Sequence, residues 1–358
     1  MLKTDKSHKN IQKRRKADAD GIGRGKIPVC AVMVVSMKLL ARAKLNLFFD
    51  ITGINDTHGN GYHDVAAVNT SIDLADEVSI TLNSGEGVTV RCDMPGIPAG
   101  HGNTCYRAAT TFCDYTRIKT GIDIFIAKKI PVQSGMGGAS ADAAAVLTGL
   151  NLLTRANLPT EKLIEIGAKV GADVPFCQIG GVAFCEGIGE KLTSLPSLDK
   201  TEIEFVIIKP EFGISTAECY AKYDELLQSG CIPQFSQKRI DEMIRHVKSS
   251  ESAGMTEVTG IAGIAGITDS LYNVLEKVVF SVPDPNQTTG NIGFSGSVPH
   301  IKQVLMDAGA MGALMTGSGS AVFGIFKNIG AKAMSELTSE FREVYLQKPA
   351  GCGVELLS

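Results

Sequence analysis

The sequence predicts an α+β fold spread over two domains, and three observations carry that prediction. The chain has 358 residues, enough to bury two separate cores. Apolar residues alternate at Leu45, Leu47, Phe49 and Ile51, and again at Ile122, Ile124 and Ile126, which is the period of a strand. Apolar residues recur at three and four in Ala143, Val146, Leu147, Leu150 and Leu153, which is the period of one helix face. No exact internal repeat and no long linker interrupts this mixture, and the seam between domains is expected near Pro196, within 196–203.

Composition narrows the function classes. A hydrophobic content of 44%, a charged content of 20% and a net charge of −3 give no reason to expect nucleic acid or an anionic membrane as the main partner. The nine cysteines are scattered singly, without a Cys-x-x-Cys pair. That pattern points to reduced thiols in a cytoplasmic protein rather than to disulfides or zinc. Nothing in the sequence specifies an oligomeric state or a set of metal ligands.

Taken in order, residues 1–26 are basic and polar and are expected to be disordered. The apolar run Val29 to Val35 that follows is too short to span a membrane and leads straight into a strand. Residues 1–37 are therefore read as a tail outside the fold, with Met37 a candidate initiator. In the strand that follows, Lys44, Asn46, Phe48 and Asp50 lie opposite the Leu45–Ile51 face. A polar face with Lys and Asn marks either a site or a half-exposed edge strand. The turn from Gly53 to Gly61 delivers Tyr62-His63, read either as a stacking pair for a planar ligand or as an ordinary strand start.

Ala66 to Cys92 reads as strand with a turn at Asn83 to Gly87, and Asn103 to Tyr115 as a short helix. Thr160 is expected to cap a helix over Glu161 to Val170. Asp173, in Gly171-Ala172-Asp173-Val174-Pro175, is placed at a bend among apolar neighbours, because Pro175 discourages helix at Val174. Further strands are expected at Gly181–Phe184 and Glu202–Lys209, followed by a helix to Leu227 capped by Ser215 or Thr216. Residues 229–268 show no clear period. Leu271 to Val279 and Ile301 to Ala308 read as helices, Ser281 to Ser297 as a loop, and Ala321 to Phe326 as a strand.

Between the strand at Ile122–Ile126 and the long helix lies Pro131-Val132-Gln133-Ser134-Gly135-Met136-Gly137-Gly138-Ala139-Ser140-Ala141. A glycine loop entering a helix is either an anion site, with backbone N–H groups aimed at phosphate, or a tight turn with packing glycines. It lacks the Gly-Lys-Ser/Thr ending of a Walker A loop and the distal acid of a dinucleotide fingerprint. A second small-residue loop, Gly312-Ala313-Leu314-Met315-Thr316-Gly317-Ser318-Gly319-Ser320, has N–H and hydroxyl groups that could hold phosphate as well.

The combination is more specific than its parts. Lys44-Leu45-Asn46-Leu47, Gly61-Tyr62-His63, the glycine loop, Gly171-Ala172-Asp173-Val174-Pro175, Asn273-Val274-Leu275-Glu276 and the late loop follow in an order that resembles the GHMP kinase superfamily. Within it, the match is to the branch whose small-molecule substrate bears a cytidine diphosphate group. The resemblance covers about Lys38 to Leu357. It implies a two-domain GHMP-kinase-like fold, 38–200 as the ATP-binding domain and 201–358 as the C-terminal domain, with the active site in the interdomain cleft. It implies ATP and Mg²⁺ as cofactors and phosphorylation of an alcohol. It further implies Lys44 and Asp173 as the catalytic pair, and Pro131 to Ala141 together with Asn103 as the nucleotide site. Asn46, Tyr62, His63, Ile188 and Tyr220 fall at the substrate.

The loop departs from the family's usual Gly-Gly-Gly-Ser-Ser. Ala139 requires negative φ to be unstrained, Ala141 lacks a second hydroxyl, and Gln133 and Ser134 are bulkier than usual and are expected to crowd the entrance. Two alternatives stay open from sequence: another small-molecule kinase of the superfamily, of the mevalonate or homoserine type, and an inactive nucleotide- or sugar-binding paralogue.

Overall fold

The computed structural model of the chain describes residues 35–55, 62–250, 257–281 and 297–357. The basic tail up to residue 34, the tip of the Gly53–Gly61 turn and residues 282–296 of the expected loop lie outside the described residues. Val35 to Met37, expected in the tail, instead open the first strand.

Two long strands, β1 (Val35–Asn55) and β2 (Tyr62–Asn83), pair antiparallel along their length and form the backbone of the fold. Next come β3 (Val88–Cys92), α1 (Thr104–Thr116), β4 (Gly121–Ala127), α2 (Gly138–Leu153), α3 (Thr160–Ala168), α4 (Val174–Ile179), β5 (Val182–Glu186) and β6 (Lys191–Leu195). The second half runs β7 (Glu204–Lys209), α5 (Thr216–Gln228), α6 (Gln237–Ser250), α7 (Glu257–Asp269), β8 (Tyr272–Asn273), α8 (Leu275–Ser281) and α9 (Val298–Asp307). It closes with β9 (Gly312–Met315), β10 (Val322–Phe326), α10 (Ala331–Glu340), β11 (Glu343–Gln347), β12 (Pro349–Ala350) and β13 (Val354–Leu357).

The strands make a nine-stranded sheet with the path β13-β1-β2-β4-β3, and a four-stranded antiparallel sheet ordered β11-β7-β10-β9. The last two strands return to the large sheet, where β13 covers the open side of β1. β13 pairs with β1 only over Lys38 to Ala41, but from Ala43 to Ile51 both faces of β1 are buried, with Leu45 and Leu47 on one and Phe48 on the other fully enclosed. That burial removes the edge-strand reading of Lys44 and Asn46. Bulges between Arg42 and Lys44, and between Asn46 and Phe48, shift the register around Lys44 and Asn46.

Several local expectations change. The cap of α3 is Pro159, not Thr160, and no side chain caps it. Ser215 caps α5, accepting from Glu218 N. The stretch 229–268 contains two helices, α6 and α7, packed where glycine allows close approach: a Cβ at Gly263 would press on Ser250, and one at Gly266 on His246. Residues 312–315, expected to be loop, form strand β9, and a two-residue strand, β8, precedes α8 where unbroken helix was expected.

Candidate active site

A cavity of about 970 Å³ opens between the large sheet with its helices and the segment carrying α5 and the 316–320 loop. Its floor is β1. Lys44 and Asn46 point into it, Asp173 stands at the start of α4, and the glycine loop forms one wall.

Lys44 is 3% exposed. A buried ammonium costs several kcal/mol unless it is paired and hydrogen-bonded, and here it has both. Its Nζ donates to Asn46 Oδ1 at 2.6 Å and lies 3.6 Å from Asp173 Oδ2. The Asp173 side chain is 43% exposed, so the carboxylate meets the cavity while the ammonium supports it from beneath. Asp173 keeps right-handed helical angles as the residue before α4, with Pro175 fitting the helix's first turn. No side-chain cap bond ties its carboxylate down.

The glycine loop is fastened from three sides. Lys44 N donates to Met136 O at 3.0 Å, Thr104 Oγ1 donates to Ala139 O at 2.7 Å, and Ala321 N donates to Ser134 O at 3.2 Å. Gly135 and Gly137 have φ of 77° and 70°, left-handed positions that favour glycine. Gly137 precedes α2 and offers no side-chain cap, so the free N–H groups of the helix's first turn stand at the cavity wall. Ala139 has no positive φ and sits without that strain. The Ser134 hydroxyl is spent inside the turn, donating to Pro131 O and accepting from Met136 N, so it does not crowd the entrance. Gln133 takes a positive φ of 54°, and its side chain lies against Gly213.

The 316–320 loop is held by residues of the Asn273-Val274-Leu275-Glu276 stretch. Asn273 Nδ2 donates to Met315 O and Gly317 O, both at 2.8 Å, and its Oδ1 accepts from Leu275 N. Glu276 accepts from Met315 N and from Lys302. In the fold this stretch holds the second loop in place through Asn273 and Glu276.

At the other end of the cavity, His63 and Tyr220 pack with ring centroids 4.9 Å apart and planes inclined by 41°, and Tyr223 meets His63 edge-on. His63 Nε2 is 2.8 Å from Asp224 Oδ1. Burial pushes the Tyr220 hydroxyl's pKa up. Ile188 lines the same space. Tyr62 begins β2, and its side chain lies outside the described residues.

Two family models match the chain: GHMP kinases N terminal domain over residues 103–181, and GHMP kinases C terminal over residues 296–343. A 4-diphosphocytidyl-2-C-methyl-D-erythritol kinase of Acetivibrio thermocellus is 38% identical over 293 residues, covering 82% of this chain and 91% of the relative. The kinase of the same name from Clostridium tetani is 34% identical, covering 87% of this chain and 99% of the relative. The chain belongs to the 4-diphosphocytidyl-2-C-methyl-D-erythritol kinase family, within the GHMP kinases. A crystal structure of 4-(cytidine 5'-diphospho)-2C-methyl-D-erythritol kinase superposes with a TM-score of 0.65 at 25% identity, covering 88% of this chain and all of that one. A homoserine kinase from Cytophaga hutchinsonii shares the fold, with a TM-score of 0.64 at 19% identity.

Most residues that the kinase resemblance assigned to a site come together. Lys44, Asn46, His63, Asn103, Pro131 to Ser140, Asp173, Ile188 and Tyr220 all line the cavity. Ala141 is fully buried and is not among the lining residues, because the helix turns it toward the core. A hydroxyl missing there is not missing from the cavity. Asn103 reaches the lining, yet its amide is committed to capping α1: Oδ1 accepts from Cys105 N, and Nδ2 donates to Pro98 O.

The sequence reading passed over a buried triad behind the loop. Lys128 pairs with Asp76 and, at 2.9 Å, with Asp142; Asp76 also accepts from Lys129 N and Ile130 N. Burial pushes the Asp142 carboxyl's pKa well up, and Lys128 opposes the shift. A Cβ at Gly138 would sit 3.0 Å from Ile130 Cγ2 and 3.2 Å from Lys128 Nζ, so a larger residue there would have to displace these side chains slightly. Only a lone Asp in an alanine-rich helix signalled this triad in the sequence.

Proposed function

We propose that this protein transfers the γ-phosphoryl group of ATP to the 2-hydroxyl of 4-diphosphocytidyl-2-C-methyl-D-erythritol, a step toward isoprenoid precursors. One observation carries the assignment of roles. The Lys44–Asp173 pair stands in a single cavity that has an uncapped helix N-terminus on one wall and the His63–Tyr220 ring pair on another. The first wall suits the phosphates of ATP, the second a pyrimidine.

Phosphoryl transfer asks the protein mainly for positioning and charge stabilisation. The N–H groups at Gly138 and Ala139 cradle the ATP phosphates. Asp173 orients the acceptor hydroxyl and takes its proton late in the transfer. Lys44 holds Asp173 and faces the charge that develops on the migrating phosphoryl group. Mg²⁺, when bound, would neutralise phosphate charge, and Ser140 Oγ on the first turn of α2 is the side-chain oxygen that would meet it.

We place the enzyme in the cytoplasm. The described cysteines are free thiols, and among the described residues no helix is long and apolar enough to cross a membrane. An acceptor panel tests the reading: with ATP and Mg²⁺, ADP release is expected with the cytidine-linked methylerythritol and not with mevalonate, homoserine or galactose. Release with one of the latter three alone contradicts it.

A further inference from the structure

Beneath the reacting pair runs a one-way chain of buried polar groups. An ammonium can only donate, so Asn46 must turn its Oδ1 to Lys44, which it does at 2.6 Å. The Asn46 Nδ2 then faces away and donates to Asn69 Oδ1 at 2.6 Å. Asn69 in turn has its Nδ2 left, and directs it at Cys185 Sγ, 3.4 Å away. Asn46 and Asn69 are direct cross-strand partners of β1 and β2, and Cys185 lies on β5, which pairs with β2 on its other side. All three are buried, with exposures of 1%, 3% and 1%. Thr316 tightens the same point: its Oγ1 accepts from Asn46 N at 3.0 Å and donates to Asn46 Oδ1 at 3.3 Å.

An Asn amide can present either end to a neighbour, and the two ends differ little in shape. Three contacts set Asn46 with its oxygen toward Lys44: Lys44 Nζ and Thr316 Oγ1 donate to its Oδ1, and Asn69 Oδ1 accepts from its Nδ2 and closes the far side. We propose that Asn69 is a positioning residue for phosphoryl transfer: by accepting from Asn46 Nδ2 it locks the amide that holds Lys44 against Asp173. The proposal rests on the kinase reading of this cavity. Without an acceptor at position 69, the Asn46 Nδ2 is left buried and unpaired, at about 1–3 kcal/mol. The amide then has no partner on its far side, and its hold on Lys44 loosens.

Two variants separate this account from a plain packing role. Asn69→Leu has about the right volume and no acceptor. Asn69→Asp keeps the acceptor toward Asn46 and puts a carboxylate oxygen in place of the Nδ2 that faces Cys185 Sγ. If Asn69 positions Lys44, Asn69→Leu lowers kcat by about 10- to 100-fold, the scale of a misplaced reacting group. The KM values for ATP and acceptor stay within about threefold, and Asn69→Asp stays close to wild type. If Asn69 only fills space, the order inverts: Leu is tolerated, and the buried charge of Asp is damaging.

A second readout needs no acceptor substrate. Labelling of the Lys44 amine by an acetylating ester, followed by peptide mass spectrometry, accelerates several-fold in Asn69→Leu and not in Asn69→Asp. Should Asn69→Leu fail to fold, Asn69→Val takes its place. Unchanged Lys44 labelling in the apolar variant, or an apolar variant more active than Asn69→Asp, overturns the proposal. If wild-type enzyme transfers no phosphoryl group to the cytidine-linked acceptor, the kinase reading fails, and the labelling arm still decides the role of Asn69.

Discussion

Lys44 Nζ lies 3.6 Å from Asp173 Oδ2, between the buried middle of strand β1 and the residue that precedes α4. The two ends of this pair are unlike. The ammonium is enclosed and fixed by Asn46, while the carboxylate is free on the cavity side. Such a pair has a stationary cation beneath an accessible base. Lys44→Ala is expected to lower kcat by about 10²–10³, the usual cost of removing one preorganised donor from developing charge. Steady-state kinetics at saturating ATP checks this, and an unchanged kcat removes Lys44 from the reaction.

The glycines of the loop do different work, and substitution should separate them. A Cβ at Gly135 would collide with the carbonyl of Thr316, so Gly135→Ala must push the two loops apart. A Cβ at Gly137 would meet Lys44 Cγ at 3.0 Å and the stem of a side chain that can yield a little. Both positions also carry positive φ. The expected result is a clear loss of thermal stability in Gly135→Ala. Gly137→Ala should fold with a smaller loss and a reduced kcat. Equal melting temperatures in the two variants would count against the loop-to-loop contact.

The wall we assign to the pyrimidine gives a binding prediction. Tyr220 packs against His63 at an inclination of 41°, and His63 is tethered to Asp224. Tyr220→Ala should weaken CMP binding by about 1–3 kcal/mol in calorimetry, the typical worth of one base–aromatic stack, and leave ADP binding unaltered. Equal weakening of both nucleotides would show that the variant disturbs the whole cleft.

Much of this site was legible in the sequence because its residues break the local pattern. Lys44 and Asn46 stood out as polar residues in an apolar strand, and Asp173 as a carboxylate between alanine and valine before a proline. Lys44 and Asn46 are buried, Asp173 is 43% exposed, and all three line the cavity. What could not be read was the direction of side chains on the loop and helix. Ala141 and Asn103 follow the family's order, yet one points to the core and the other caps its own helix. Asn69 sits in a strand with no pattern of its own and gains meaning only from the register that sets it opposite Asn46. Helix α7 was missed because its run of Gly, Ala and Ile has no polar face to set a period. It packs through Ile264, Ile267 and glycines pressed on α6.

A buried carboxylate away from the reaction supplies a pH test. Asp50 on β1 is 1% exposed; burial pushes its pKa up to about 6, opposed by the Ile51 N–H and by Arg239 at 3.2 Å. The folded pKa therefore lies above the unfolded value of about 3.9. The folded state binds the extra proton between these values, so this group's contribution to stability is present below about pH 4 and lost as pH rises through about 6. Denaturant unfolding of wild type and Asp50→Asn across pH 4 to 7 should show the wild type losing ground over that window. A difference independent of pH would contradict the burial argument.

The most direct test of the account is ADP release with ATP, Mg²⁺ and 4-diphosphocytidyl-2-C-methyl-D-erythritol, run on wild type and on Asp173→Asn in parallel. The wild type should turn over, and Asp173→Asn should bind ATP normally yet lose turnover by orders of magnitude. Near-normal turnover in Asp173→Asn, or none in the wild type, would contradict it.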